Sequence, residues 1–157
     1  ELDVLAVVVG AVGVVVLEAV DNPANVGAII RNAAGLGWDG LILDHTSADP
    51  FARRSLRVAM GTAFALPHAR TTTLVDDIAG LVDVDLYALT PQHDALSLDV
   101  VDPGDRAAIL IGSERSGLSD ALSGLATAVR IPMRGGVDSL NAAAATAIAC
   151  WELRIRG

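Results

Sequence analysis

The stretch VGVVVLEAVDNPANVGAIIRNAAGLGWDGLILD, residues 12–44, decides the fold class. It opens on a β-branched run, Val12 to Leu17, which reads as a strand. The polar cluster from Asp21 to Gly27 reads as a turn. Val26, Ile29, Ile30, Ala33 and Gly37 then recur on one face at helical spacing. Gly40 to Asp44 is a second short strand. Strand, helix and strand follow one another, and both strands are apolar on both faces. Parallel pairing under cover on both sides is the arrangement that buries such strands.

The pattern continues outward. Upstream, Val4 to Val9 reads as another strand. Downstream, residues 51–61 read as a helix ended by Gly61, and residues 74–82 as a further helix. Residues 84–90 (VDLYALT) and 106–113 (RAAILIGS) are buried strands. Residues 119–126 form a short helix capped by Ser119, and residues 128–133 (AVRIPM) a strand. A last helix is expected from about Ser139 to Arg154, with its apolar stripe at Leu140, Ala143, Ala144, Ala147, Ile148, Trp151 and Ile155. The fold class is α/β: a mostly parallel sheet with helices on both faces.

With 157 residues, 52% of them hydrophobic, the chain fits one domain, residues 1–157, with a sizeable core. No apolar run is long enough to span a bilayer. The apolar segment from Val4 to Leu17 is broken by Gly10 and Gly13 and has no basic run before it, so it is not a signal peptide. Cys150, the single cysteine, reads as a buried core thiol. No disulfide can form within the chain, which points to a reducing cytoplasm.

A net charge of −8 argues, taken alone, against nucleic acid. Its distribution says more. Residues 71–105 hold eight aspartates and no arginine, so the rest of the chain is neutral overall. Arg53, Arg54, Arg57 and Arg70 fall in a stretch free of acids. There is no lysine, so every side-chain cation is a guanidinium. That suits phosphate clamping, although compositional bias alone would give the same result.

Ligands of open α/β sheets lie beyond the carboxyl ends of the strands. Three such ends are rich in glycine and polar residues: DNPANVGAIIRNA (21–33), LIGSERSGLS (110–119) and IPMRGGVDSLN (131–141). In the first, Asn25 is the expected helix N-cap. Arg31 lies four residues after Gly27, so it leans back over the glycine toward the helix start. A solvated helix face is the plainer alternative. In the second, Glu114 is either a buried acid paired with Arg31 or a surface turn acid. In the third, Gly135 and Gly136 permit a tight bend, and Ser139 or Asp138 can cap the helix. Capping does not explain Asn141, expected inside the helix, nor Met133 and Leu140, which could grip an apolar ring. Dinucleotide, Walker and nucleophile-elbow patterns are missing. His45, His68 and His93 read as surface or loop residues without metal-ligand spacing.

Together the segments NPANVGAIIRNAAGLG, LIGSERSGLS and IPMRGGVDSLNAAAA resemble, in order and spacing, the three motifs of the SpoU (TrmH-type) RNA ribose methyltransferases of the SPOUT superfamily. The likeness runs from about residue 12 to residue 155. Arg115 departs from it, standing where the family usually has glycine.

The resemblance implies a C-terminal deep trefoil knot, a rare exception to unknotted topology. It implies S-adenosylmethionine as cofactor, held in the knot by Thr90, Gly112, Ile131, Met133 and Leu140, largely through backbone groups. It implies a homodimer whose subunits share each site; the residues themselves point to the cytoplasm and to neither metal nor membrane. The reaction would be methyl transfer to a ribose 2′-hydroxyl of rRNA or tRNA. Arg31 would be central to it, with Asn25, Glu114, Ser139 and Asn141 around it. A guanidinium holds its proton too firmly to be a simple base. Arg31 would instead grip the RNA phosphate and stabilise the developing alkoxide, while Glu114 orients Arg31 and Ser139 and Asn141 position ribose and cofactor. Many relatives carry an extra N-terminal RNA-binding domain. This chain starts almost at the first strand and is expected to be a single catalytic domain without that extra domain. It is either a minimal form or, the favoured expectation, the catalytic part of a longer protein, binding RNA weakly and with steep salt dependence. A non-catalytic RNA-binding or assembly module that kept the fold is the alternative. An unrelated nucleotide-binding α/β enzyme is disfavoured by the missing phosphate loop.

Overall fold

A computed structural model describes residues 2–64, 66–135 and 140–154. In chain order its elements are α1 (Val4–Val8), β1 (Gly13–Leu17), α2 (Pro23–Gly35), β2 (Gly40–Asp44), α3 (Arg53–Ala59), β3 (His68–Thr71), α4 (Leu74–Ala79), β4 (Asp85–Leu89), β5 (Leu96–Ser97), β6 (Ala107–Ile111), α5 (Asp120–Ser123), β7 (Thr127–Arg130) and α6 (Ala142–Glu152). The described strands make one seven-stranded sheet of order β3-β2-β1-β6-β4-β7-β5, with every pairing parallel. The predicted parallel α/β sheet is thus present. All five residues of β1, of β2 and of β6 are buried. Burying each Val, Leu or Ile contributes roughly 1.5–3 kcal/mol relative to exposure, so these central strands anchor the fold.

Alternation along the strands sorts the core into two layers. Val15, Leu17, Leu41, Leu43, Ile109 and Ile111 face α2, α3 and α6. Val14, Val16, Ile42, Ala108 and Leu110 face α1, α4 and α5. Helices therefore cover both faces, as predicted.

Where sequence and structure differ, the cause is local. The run expected as a strand at Val4 to Val9 is helix α1. Asp3 caps it, accepting a 2.7 Å hydrogen bond from the Ala6 N–H, and Gly10 leaves it at φ +80°. Its buried Val7 and Val8 pack on the sheet, which outweighs the weak helix propensity of valine. β3 and β5 were not anticipated. β3 is polar and follows Pro67, and β5 is a two-residue edge strand. His68, expected at the surface, is a buried residue of β3, with its ring edge-on to Phe51 at 4.8 Å.

On α6 the buried side is Ala142, Ala143, Thr146, Ala149 and Cys150. Of the expected stripe only Ala143 is among them. Ile155 lies outside the described residues, and Ile148 and Trp151 are 42% and 53% exposed. The helix is apolar all round, so periodicity could not choose its inner face. Its small side chains let it pack closely on α2, where the Asn32 Nδ2 donates to the Ala143 carbonyl at 3.1 Å. Cys150 is buried as expected, and burial pushes its thiol up to about 12. Among the described residues no helix is long and apolar enough to cross a membrane.

Candidate active site

All carboxyl ends lie on one edge of a parallel sheet. From β1 the chain steps outward to β2 and β3, then crosses to β4 on the far side of β6. The winding direction therefore reverses between β1 and β6, and a crevice opens at such a switch point. The loops leaving β1 and β6 flank it, and the start of α6 joins them.

The β1 loop is held from below. Ala19 takes a left-handed backbone at φ +57°, a conformation that non-glycine residues rarely adopt. Its N–H donates to the buried Asp44 Oδ1 at 2.9 Å, and the Val20 N–H donates to the Ser47 Oγ at 3.0 Å. Burial raises the Asp44 pKa, but hydrogen bonds from Thr46, Ala19 and Ser47 outweigh it and hold the carboxyl below its ordinary range. This clasp sets where α2 begins.

α2 is capped by Asn22, not by Asn25. The Asn22 Oδ1 accepts from the Ala24 N–H at 2.9 Å, and Pro23 fills the first helical position. Asn25 therefore lies inside the first turn with its side chain free for another task. Gly27 has no room for a Cβ, which would sit 2.4 Å from the Ser55 carbonyl oxygen. The space left by this glycine is filled by the backbone of α3.

Three segments meet at Glu114. Its Oε1 accepts from the Asn25 Nδ2 at 3.1 Å, from the Ala142 N–H at 3.1 Å and, at 3.5 Å, from the Asn141 Nδ2. The Asn141 Nδ2 also reaches the Asn25 Oδ1 at 3.2 Å. Asn141, expected inside the last helix, is its N-cap, and its Oδ1 accepts from the Ala144 N–H at 3.0 Å. Glu114 is an exposed acid seated at the start of α6, where negative charge is favoured. Among the described residues its partners are Asn25, Asn141 and Ala142, and Arg31 is not one of them. Arg31 is exposed and makes no hydrogen bond or ion pair among the described residues.

The loop carrying Glu114 is pinned at both ends. At Gly112 a Cβ would lie 2.2 Å from the Gly117 carbonyl carbon and 2.3 Å from the Leu118 nitrogen, so only glycine lets the loop close on itself. The Gly117 N–H closes it on the Ser113 carbonyl at 2.9 Å. Arg115 points to solvent without a left-handed backbone, so the loop accommodates arginine there. At the far end the Ser119 N–H and Oγ donate to the two Glu18 carboxylate oxygens at 2.7 and 2.9 Å. Sequence reasoning missed Glu18 and Asp44. The available signal was an acid placed at the carboxyl end of an otherwise apolar strand.

The sequence profile of the SpoU rRNA Methylase family matches residues 13–151, which takes in all three of these segments. The chain belongs to this family. Among SpoU-type relatives, an uncharacterized tRNA/rRNA methyltransferase of Mycobacterium bovis is 40% identical over 158 aligned positions, covering 97% of this chain and 55% of the relative. A 23S rRNA (uridine(2479)-2′-O)-methyltransferase of Streptomyces viridochromogenes is 36% identical, over 90% of this chain and 52% of its own. Among solved structures, the AdoMet-bound rRNA methyltransferase of Sinorhizobium meliloti superposes with a TM-score of 0.82 at 34% identity, over 89% of this chain and 54% of that one. The chain thus spans about half the length of these SpoU-type relatives.

The residues expected to hold the cofactor follow neighbouring strands. Thr90 comes directly after β4, Gly112 after β6 and Ile131 after β7, and these three strands are adjacent in the sheet. Thr90 extends the β4–β7 pairing, its N–H donating to the Val129 carbonyl at 2.9 Å. Ile131, Met133 and Leu140 are half-buried, and Ile131 packs against the core. Ser139, with Gly136, Val137 and Asp138, lies outside the described residues. Among the described residues no cluster of His, Cys, Asp or Glu could hold a metal ion.

Proposed function

We propose that this chain is the catalytic part of an S-adenosylmethionine-dependent methyltransferase that modifies a ribose 2′-hydroxyl in rRNA or tRNA. The observation that carries this reading is the meeting of Asn25, Glu114 and Asn141, one from each of the three SpoU-like segments, at the switch point of the sheet. The naming of one relative as a 23S rRNA 2′-O-methyltransferase and the AdoMet bound to another support it.

The donor set fits the cofactor: three adjacent strand ends offer backbone groups, and half-buried apolar side chains stand beside them. Thr90, Gly112, Ile131, Met133 and Leu140 would hold S-adenosylmethionine, which supplies an electrophilic methyl group when bound. Arg31 would grip the phosphate beside the target ribose and stabilise negative charge on the 2′-oxygen. The proton of that hydroxyl would pass to a phosphate oxygen, since a guanidinium has no lone pair to accept it. Glu114 would fix Asn25 and the start of α6, and Asn141 with Ser139 would position ribose and cofactor.

A homodimer with shared sites and a C-terminal trefoil knot belong to the same reading. In its favour, Arg31 is unpaired among the described residues, and Ala144, Ile148 and Trp151 leave an exposed apolar stripe along α6. The test combines labelled S-adenosylmethionine, unmodified rRNA and tRNA, and mapping of ribose methylation. Arg31→Ala should abolish transfer and leave cofactor binding by calorimetry nearly intact. Turnover like that of the unaltered chain would remove Arg31 from the mechanism.

A further inference from the structure

Ten of the eleven arginines lie among the described residues, and they divide by what they hold. Arg70 donates to the His45 and Ser47 carbonyls, Arg106 to those of Val8 and Ala11, and Arg130 to that of Ala95. Arg154 stacks on Trp151. These serve the fold. Arg31, Arg53, Arg54, Arg57, Arg115 and Arg134 are exposed and make no hydrogen bond or ion pair among the described residues. Half of these unpaired cations stand on one short helix, α3.

Helical geometry puts the three on one side. Ser55 and Ala59 are buried, and Ser55 and Val58 meet α2 at Gly27. Arg53, Arg54 and Arg57 then cover the outer arc at 100° per residue. Local stability does not explain them. The first turn of a helix favours acids, yet α3 has none there and opens on two arginines. Crowding three like charges on two turns adds to that cost. The acid-rich segment is kept away: α4, which carries Asp76 and Asp77, packs on the opposite face of the sheet. The arginine face is also rigidly tied to the candidate site. The Ser55 Oγ donates to the Pro23 carbonyl at 3.0 Å, and the backbone of α3 fits against Gly27, four residues before Arg31.

We propose that the outer face of α3, carrying Arg53, Arg54 and Arg57, is a contact surface for the phosphate backbone of the RNA substrate. Among the described residues it shares no residue and no hydrogen bond with the Asn25–Glu114–Asn141 cluster. The proposal rests on the reading of the chain as RNA-modifying. It commits to RNA because planar guanidinia that form no ion pair among the described residues complement phosphate, and because a chain of net charge −8 repels polyanions elsewhere.

The test uses the 157-residue chain, in vitro transcribed 23S rRNA and binding measured across a salt series. In R53Q/R54Q/R57Q, affinity should fall at least about tenfold, and the log–log salt slope should flatten by about 2–3, the amount expected for three lost phosphate contacts. Cofactor titration and melting should not change. A second variant adds D94N, D102N and D105N, restoring the net charge of −8; its binding should remain weak. Unchanged affinity and slope in the first variant, recovery in the second, or RNA binding by the unaltered chain too weak to titrate would each overturn the proposal. An unaltered chain that neither binds S-adenosylmethionine nor methylates RNA would instead overturn the enzymatic reading.

Discussion

Asp44 shows how a single buried carboxylate can shape a site it does not enter. Its oxygens accept from the Ala19 N–H, the Ser47 N–H and Oγ, and the Thr46 Oγ1, which keeps the β1–α2 loop in its left-handed turn. Because these bonds favour the ionised form, the folded pKa lies below the ordinary 3.8. The unfolded chain then binds the extra proton in that window. The stabilisation is therefore complete above 3.8 and is lost as pH falls through the folded value. Asp44→Asn should cost roughly 1–3 kcal/mol at neutral pH, the range for hydrogen bonds to a charged group. In denaturant titrations the gap between Asp44→Asn and the unaltered chain should narrow as the solution is acidified below 3.8. A gap independent of pH would show that the charge of Asp44 does not matter.

The start of α6 joins a structural duty to a proposed chemical one, and a substitution can separate them. Serine caps a helix about as well as asparagine, but it lacks the amide that reaches Asn25 and Glu114. Asn141→Ser should therefore melt within about a degree or two of the unaltered chain yet lose most methyl transfer. Parallel loss of melting temperature and activity would reduce Asn141 to a cap. This position also marks how far the sequence could be read. The β-branched runs of β1, β2 and β6 were legible because burial on both faces writes itself as unbroken apolar sequence. The run at Val4 to Val9 looked the same and folded as α1, since five residues carry no usable period. Both asparagine assignments slipped for one reason: Asn22 and Asn25 are equally good caps by residue type, as are Asp138, Ser139 and Asn141. Three-dimensional partners decide between them. The clustering of Asn25, Glu114 and Asn141 joins residues 89 and 27 positions apart. Only the resemblance to a known family, not periodicity, grouped them beforehand.

At the scale of the molecule, Arg31 is a candidate residue without a hydrogen bond or ion pair among the described residues. It sits on α2, while the candidate cluster gathers around Glu114, and the exposed Ile148 and Trp151 line α6. Docking a second copy on that stripe would cover apolar surface and could bring a foreign Arg31 to each cluster, since a two-fold interface repeats every contact. Trp151→Glu should then turn dimer into monomer in sedimentation without loss of helical signal, because the side chain is 53% exposed in the single chain. Sharing of sites makes a sharper prediction. An Arg31→Ala copy and an Asn141→Ser copy should each be inactive alone. Co-expressed, half of the dimers would be mixed. In each mixed dimer one site would carry both lesions and the other neither, giving about a quarter of the unaltered activity under random two-fold pairing. Sites built within one chain would give no recovery, since every site would then keep one lesion. Recovery in the mixed preparation that disappears when Trp151→Glu is added to both copies would tie the shared site to the face of α6.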